Sequence, residues 1–154
     1  MEGLKIEKNK IAIIGFGISG MSVARYFLNK NVQVDVYEDK NSDDFPQDSI
    51  TQFSNNQNFK IFFSDTVNQI SVDQYDFVMA SPGVPLTHKL ILLAQQSNIE
   101  YFTDLNIFLK IFKAKYPQGK VISVTGSNGK STTVSLLLDV LLAAGEDAYM
   151  GAIS

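Results

Sequence analysis

The chain has 154 residues, of which 45% are hydrophobic and 19% charged, a balance that excludes a disordered protein. With 13 Lys and Arg against 16 Asp and Glu, the net charge is −3, which argues against a nucleic-acid partner. The chain has no cysteine and 1 histidine, which excludes disulfides and thiolate or histidine-rich metal sites. No signal-peptide pattern and no run of about 18 apolar residues occurs, so we predict a soluble cytoplasmic protein with no membrane partner.

The first elements follow a βαβ pattern. The apolar segment 11–14 predicts a strand that leads directly into the sequence G-x-G-x-x-G at 15–20. A helix is predicted next, with four apolar residues on one face: Met21, Ala24, Phe27 and Leu28. The second predicted strand, 32–37, ends at the polar residues 38–40. This places an acid, Glu38, about 20 residues beyond the glycines, where a Rossmann unit binds a ribose hydroxyl.

The glycine loop has two interpretations. In the first, the glycines let the backbone approach the phosphates of a nucleotide. In the second, they only permit a close turn from strand to helix, an alternative that is stronger for Gly20 than for Gly17. The complete βαβ pattern favours the first interpretation.

The middle of the chain completes an alternating α/β pattern. The polar segment 41–58 is interpreted as a surface loop with at most one short helix, and further strands are predicted at 59–63, 75–80 and 99–102. The loop 81–85 contains two prolines and a glycine at the carboxyl end of a predicted strand. It is either part of a ligand site or a turn into the next helix.

Two helices are predicted after this loop. The first covers 87–97 and has His88 at its start, a lone histidine without a nearby acidic partner, to which we assign no role. The second is capped by Thr103 or Asp104. Its apolar and aromatic stripe is predicted to lie in the core: Leu105, Phe108, Leu109 and Phe112.

The segment 116–119 contains a proline and a glycine and is taken as a domain boundary, with one domain at 1–117 and the start of another at 118–154. A buried strand is predicted at 121–124, followed by a phosphate loop. Next comes a helix that stops near Gly145, with an apolar face of Val134, Leu137, Leu138, Leu141 and Leu142. The predicted fold is a Rossmann-like, doubly wound, mostly parallel sheet, followed by the first strand, P-loop and helix of an incomplete second α/β domain.

The phosphate loop has the residue types that anion binding requires. Gly126 and Gly129 permit close backbone approach, Lys130 supplies a cation, and Ser131 or Thr132 offers a hydroxyl to magnesium. The usual pattern G-x-x-x-x-G-K-[ST] lacks its first glycine here, because valine stands at 124. The predicted strand and helix on either side disfavour the alternative of an ordinary turn.

Three motifs together resemble the Mur ligase family: G-F-G-I-S-G at 15–20, A-S-P-G-V at 80–84 and T-G-S-N-G-K-S-T at 125–132. The resemblance extends over the chain in the family's order, and the third motif is typical of this family and its folylpolyglutamate relatives. It implies a ligase that uses ATP and Mg to join D-glutamate to UDP-N-acetylmuramoyl-L-alanine through an acyl phosphate.

The resemblance also assigns site residues. It implies that Gly17, Ile18 and Ser19 face the diphosphate, that Glu38 contacts the uracil, and that the loop 81–83 lies along the same ligand. The full UDP-sugar set is Gly15, Gly17, Ile18, Ser19, Gly20, Glu38, Asp39, Lys40, Ser81 and Gly83. The ATP set is Gly126, Ser127, Asn128, Gly129, Lys130, Ser131 and Thr132, with Ser131 as the magnesium ligand.

The chain departs from the family pattern at 151–154, where the family's Gly-Asn pair is missing. It also lacks the family's second magnesium ligand, modified lysine and amino-acid-binding domain, so we expect no ligase activity from the 154 residues alone. Apolar faces after Lys120 predict self-association. The alternatives are an NAD(P)-binding oxidoreductase domain and a non-catalytic nucleotide-binding or assembly module.

Overall fold

The structure is a computed structural model that describes residues 3–64 and 70–151. The chain divides between Pro117 and Gln118 into two compact units, which are described in turn. None of the helices within the described ranges has the length and apolar content needed to cross a membrane.

The first unit is built on a parallel sheet. Its strands are β1 (Lys10–Ile14), β2 (Gln33–Glu38), β3 (Phe59–Phe63), β4 (Phe77–Ala80) and β5 (Glu100–Phe102). Their order is β3-β2-β1-β4-β5, and every pairing is parallel. Strands β2 and β3 therefore lie on one side of β1, and β4 and β5 lie on the other, which confirms the predicted doubly wound architecture.

Helices cover both faces of this sheet. They are α1 (Ile18–Leu28), α2 (Gln47–Thr51), α3 (Lys89–Gln96) and α4 (Asp104–Lys115), with a short 3₁₀ turn at Ser42–Asp44. Residues Ile11 and Ile13 of β1 pack in the core that includes α1 and α4, whereas Ala12 and Ile14 pack in the core that includes α3. Both sides of β1 are thus buried, which explains why its sequence is continuously apolar.

The segment 41–58 is not simply a surface loop, as the sequence had suggested. Two of its aromatic residues, Phe45 and Phe53, are buried, and their ring centroids lie 6.2 and 5.3 Å from that of Phe16 in the glycine loop. The prediction was wrong here because isolated aromatic residues in a polar segment give no periodic signal.

Helix α4 presents a different face to the core from the one predicted. Ile107 is 3% exposed, whereas Phe108 is 49% exposed and stacks on Phe112 with a centroid distance of 5.6 Å. The aromatic stripe therefore lies mainly outside the core. Helix α4 starts as predicted, because the Thr103 side chain accepts a hydrogen bond from the N–H of Asn106 in a capping box.

The second unit contains α5 (Lys130–Ala143), which ends as predicted where Gly145 adopts a φ of +82°. The predicted strand at 121–124 is not formed. Within the described residues it pairs with no strand, and Val121 and Ile122 are 39% and 59% exposed. A strand gains its stability from neighbouring strands, and the described part of this unit offers none.

The predicted apolar face of α5 is only half-buried at Val134, Leu137, Leu138 and Leu141, and Leu142 is exposed. No residue of α5 is fully buried. Self-association through such apolar surface stays a prediction. Of the segment 151–154, where the sequence departs from the family pattern, residues 152–154 lie outside the described residues.

A buried polar network joins β1, β2 and the segment before β4. The carboxylate of Asp35, 3% exposed, lies 2.8 Å from the ammonium of Lys10 and accepts a hydrogen bond of 2.8 Å from the hydroxyl of Tyr75. The hydroxyls of Tyr75 and Tyr37 are 2.6 Å apart. Burial, together with hydrogen bonds to Tyr37 and Asp35, raises the pKa of Tyr75 far above its ordinary value.

We expect this network to limit stability in alkali. A tyrosine whose pKa is raised in the folded state stays protonated while the unfolded chain loses its proton above about pH 10, so the free energy of unfolding falls by about 1.4 kcal/mol per pH unit. In urea unfolding at increasing pH, the free energy of unfolding of Tyr75→Phe should fall less steeply than that of the wild type. The matched variant Tyr116→Phe, at a residue 50% exposed, should keep the wild-type slope. Equal slopes for wild type and Tyr75→Phe would contradict the assignment.

Candidate functional site

A cleft of about 340 Å³ opens at the carboxyl edge of the sheet, beside the ends of β1, β2 and β4. This is the point at which the strand order changes direction, where open α/β sheets bind ligands. The residues that line it are Gly15, Phe16, Gly17, Ile18, Ser19, Glu38, Ser81, Pro82, Gly83 and Val84. The three segments assigned to one ligand from the sequence therefore lie together.

Three residues of the predicted UDP-sugar set are not among these lining residues. They are Gly20, Asp39 and Lys40. The backbone N–H of Lys40 donates to Glu38, Asp39 faces a histidine described below, and Gly20 lies against Gly15.

Gly20 is required by packing. A Cβ atom at Gly20 would lie 2.2 Å from the carbonyl oxygen of Gly15, far inside van der Waals contact. The same oxygen accepts a hydrogen bond of 2.9 Å from the hydroxyl of Ser81, and Gly15 itself has a φ of +81°. The end of β1, the start of α1 and the loop after β4 are thus joined at a single carbonyl group.

Gly17 differs from Gly20 in its surroundings. It is the N-cap of α1, and no side chain caps the first turn of that helix. Its φ of −79° suits any residue, and a Cβ atom placed there would meet nothing within 4 Å. Neither backbone conformation nor packing requires a glycine at this position.

Glu38 joins the glycine loop to the end of β2. One carboxylate oxygen accepts the N–H of Phe16 at 2.9 Å, and the other accepts the N–H of Lys40 at 3.2 Å. Each oxygen retains further lone-pair capacity, so Glu38 can still accept a hydrogen bond from a ligand.

His88 has an acidic partner, contrary to the expectation from sequence. Its Nδ1 accepts the N–H of Leu90 at 3.2 Å and caps α3, and its Nε2 lies 3.1 Å from a carboxylate oxygen of Asp39. Because Nδ1 acts as the acceptor, Nε2 carries the proton and donates to Asp39. The two residues are 49 positions apart, so no local pattern could reveal the pair.

Asp104 is a second residue that the sequence did not assign to the site. Its carboxylate accepts a hydrogen bond of 2.5 Å from the hydroxyl of Ser19 in the first turn of α1. The sequence suggested Asp104 only as a possible helix cap, a role that Thr103 fills. Spacing gave no signal for this contact, because the two residues are 85 positions apart.

The phosphate loop of the second unit forms the exposed start of α5. Gly126 and Gly129 have positive φ angles of 148° and 78°, and Gly129 is the N-cap, with no side-chain cap. The ammonium group of Lys130 donates to the carbonyl oxygens of Gly126 and Ser127. Ser131 and Thr132 are exposed. The loop thus offers helix N–H groups, a cation and hydroxyls, a donor set that suits a phosphate with a hard cation.

The fold and the cleft define the class of protein: a Rossmann-like, doubly wound α/β domain with a glycine loop at the switch point of its sheet. Sequence comparison shows the family. A family model described as the N-terminal domain of MurD-like Mur ligases matches residues 9–103. The chain therefore belongs to the Mur ligase family.

Relatives of the chain carry the name UDP-N-acetylmuramoylalanine–D-glutamate ligase. One from Caldicellulosiruptor saccharolyticus is 31% identical over 86% of this chain and 28% of its own length. One from Rickettsia prowazekii is 33% identical over 92% of this chain and 29% of its own length. One from Rhizobium etli is 29% identical over 95% of this chain and 30% of its own length. The chain spans less than a third of each of these relatives.

The two glycines of the loop should respond differently to substitution. Gly20→Ala should lower the free energy of unfolding by about 1–3 kcal/mol, because its methyl group collides with a backbone oxygen that cannot move without disturbing β1. Gly17→Ser, which adds a side chain in open space and a good N-cap, should change it by less than about 0.5 kcal/mol. Urea unfolding of both variants measures this difference. A stable Gly20→Ala protein would show that the contact with Gly15 is not needed.

Proposed function

We propose that residues 1–117 are the domain that binds the uridine diphosphate end of UDP-N-acetylmuramoyl-L-alanine. Residues 118–154 would be the start of the ATP-binding domain of the same ligase. The observation that carries the proposal is the open space at Gly17, at the N-terminus of α1 within the cleft. Membership of the Mur ligase family and the names of the relatives support this choice of ligand.

The chemistry of a diphosphate suits this end of α1. The first turn of a helix has backbone N–H groups without helical acceptors, and the helix dipole favours negative charge there. Because Gly17 has no side chain, phosphate oxygens can reach the backbone of 17–19. In this proposal Gly17, Ile18 and Ser19 contact the diphosphate through their backbone.

The remaining cleft residues divide between the two ends of the nucleotide. Glu38 would face the uridine, for which it has unused acceptor capacity, while Asp39 and Lys40 adjoin it outside the lining of the cleft. Ile18, 71% exposed at the cleft, offers an apolar surface to the ligand. Ser81 and Gly83 line the cleft from the loop after β4, and Gly15 and Gly20 shape the glycine loop.

In the second unit we propose that the loop 126–132 binds ATP. Its donor set supports this role: Lys130 would contact the outer phosphates once its ammonium leaves its own loop carbonyls, and Ser131 would hold Mg. Bound Mg would neutralise phosphate charge during transfer. The backbone N–H groups at the start of α5 would orient the phosphates.

The proposed reaction belongs to the whole ligase. The relatives are about three times as long as this chain. The γ-phosphoryl group of ATP passes to the substrate carboxylate and gives an acyl phosphate and ADP. The amine of D-glutamate then displaces phosphate and forms the amide. We place this reaction in the cytoplasm and expect the 154-residue polypeptide to bind the UDP-sugar without ligating it.

Thermal-shift titration tests the proposal. UDP-N-acetylmuramoyl-L-alanine at about 100 times its Kd should add roughly 2.7 kcal/mol of stability, and NAD should add none. A shift with NAD and none with any uridine nucleotide would instead favour an oxidoreductase domain. D-Glutamate-dependent ATP turnover by the 154-residue chain would contradict the expectation of no ligation.

Gly17→Leu should abolish the shift caused by the UDP-sugar, because a leucine side chain would occupy the space of the diphosphate. The variant should remain folded, since nothing lies within 4 Å of a Cβ at this position. Gly151→Leu makes the same change in similarly open surroundings in the second unit and should bind as wild type does. Unchanged UDP-sugar affinity in Gly17→Leu would mean that the loop does not contact the ligand.

A further inference from the structure

The first turn of α1 contacts α4 as well as the end of β1. The hydroxyl of Ser19, a residue only 9% exposed, donates a hydrogen bond of 2.5 Å to the carboxylate of Asp104. Hydrogen bonds to an ionised acceptor are short and stronger than those between neutral groups. This bond is therefore a firm link between the beginnings of two helices.

Asp104 is itself held in place. Its other carboxylate oxygen accepts the N–H of Leu105 at 2.8 Å, and α4 is fixed by the capping box of Thr103 and Asn106. Ile107, one turn further on, is buried in the core that also contains residues of α1. The carboxylate thus has a defined position relative to the start of α1.

The direction of the Ser19 hydrogen bond limits what its side chain can do. A hydroxyl has one proton, and here that proton points to Asp104. The oxygens of a diphosphate only accept hydrogen bonds. While the bond to Asp104 is formed, the Ser19 hydroxyl cannot donate to a phosphate.

We propose that Asp104 is a positioning residue for diphosphate binding: through Ser19 it fixes the first turn of α1, whose backbone N–H groups contact the diphosphate. This inference rests on the proposed function of the cleft. The Asp104 carboxylate has two effects of opposite sign, because its negative charge repels a diphosphate whereas its hydrogen bond orders the helix start that binds one. The positioning effect is the larger of the two.

Calorimetric titration with UDP and with uridine separates these effects. Asp104→Ala should weaken UDP binding about tenfold, the value of one charge-assisted hydrogen bond, and should leave uridine binding within about twofold of wild type. Asp104→Asn can still accept from Ser19 through its amide oxygen, but it carries no charge and loses the acceptor for the N–H of Leu105, so it should bind UDP more tightly than Asp104→Ala. Ser19→Ala should bind UDP about tenfold more weakly than wild type. The double variant Ser19→Ala/Asp104→Ala should bind UDP no more weakly than the weaker of the two single variants.

The control is Asp48→Ala, which removes the same charge from an exposed first-turn aspartate of α2 and should not alter either affinity. Tighter UDP binding by Asp104→Ala, or additive losses in the double variant, would overturn the inference. If Asp104→Ala does not fold, the comparison of Ser19→Ala with Asp104→Asn tests the inference. Equal UDP affinities of these two variants would overturn the inference. A wild-type protein that binds neither UDP nor the UDP-sugar would instead refute the proposed function.

Discussion

The close approach of Gly20 to the carbonyl oxygen of Gly15 is the contact on which the site depends. It lets α1 begin directly against the end of β1, and the hydroxyl of Ser81 joins the same oxygen from the loop after β4. A side chain at position 20 would force the helix away from the sheet. The glycine loop, the helix N-terminus and the Ser-Pro-Gly loop would then no longer form one cleft.

An anion in the cleft would have to be bound by backbone groups. Among the described residues that line it there is no Lys or Arg, while Glu38 lies in its wall and Asp104 lies behind Ser19. A diphosphate would therefore be attracted by the N–H groups and dipole of α1, and the nearby carboxylates serve to hold the loop in shape. Such a site depends on geometry, because a displaced N–H group cannot follow its ligand as a lysine side chain can.

The second unit also presents a helix N-terminus, that of α5, but in different surroundings. The start of α5 combines helix N–H groups with Lys130, but its apolar face is at most half-buried. In the first unit, burial on both faces of a five-stranded sheet fixes the backbone that presents the N–H groups. The difference explains why an apolar run such as 121–124 is a strand only where other strands accept its hydrogen bonds.

The sequence by itself determined the features that depend on neighbours along the chain: the five strands, three buried residues of α1 (Ala24, Phe27 and Leu28), the Thr103 cap and the stop at Gly145. These follow from periodicity, capping and backbone freedom, which act over a few residues. Only the tertiary structure decided the packing role of Gly20, the burial of Phe45 and Phe53, and two hydrogen-bonded pairs: Asp39 with His88, and Ser19 with Asp104. Each of these depends on contacts between distant segments, which only the strand order and the helix crossings bring together.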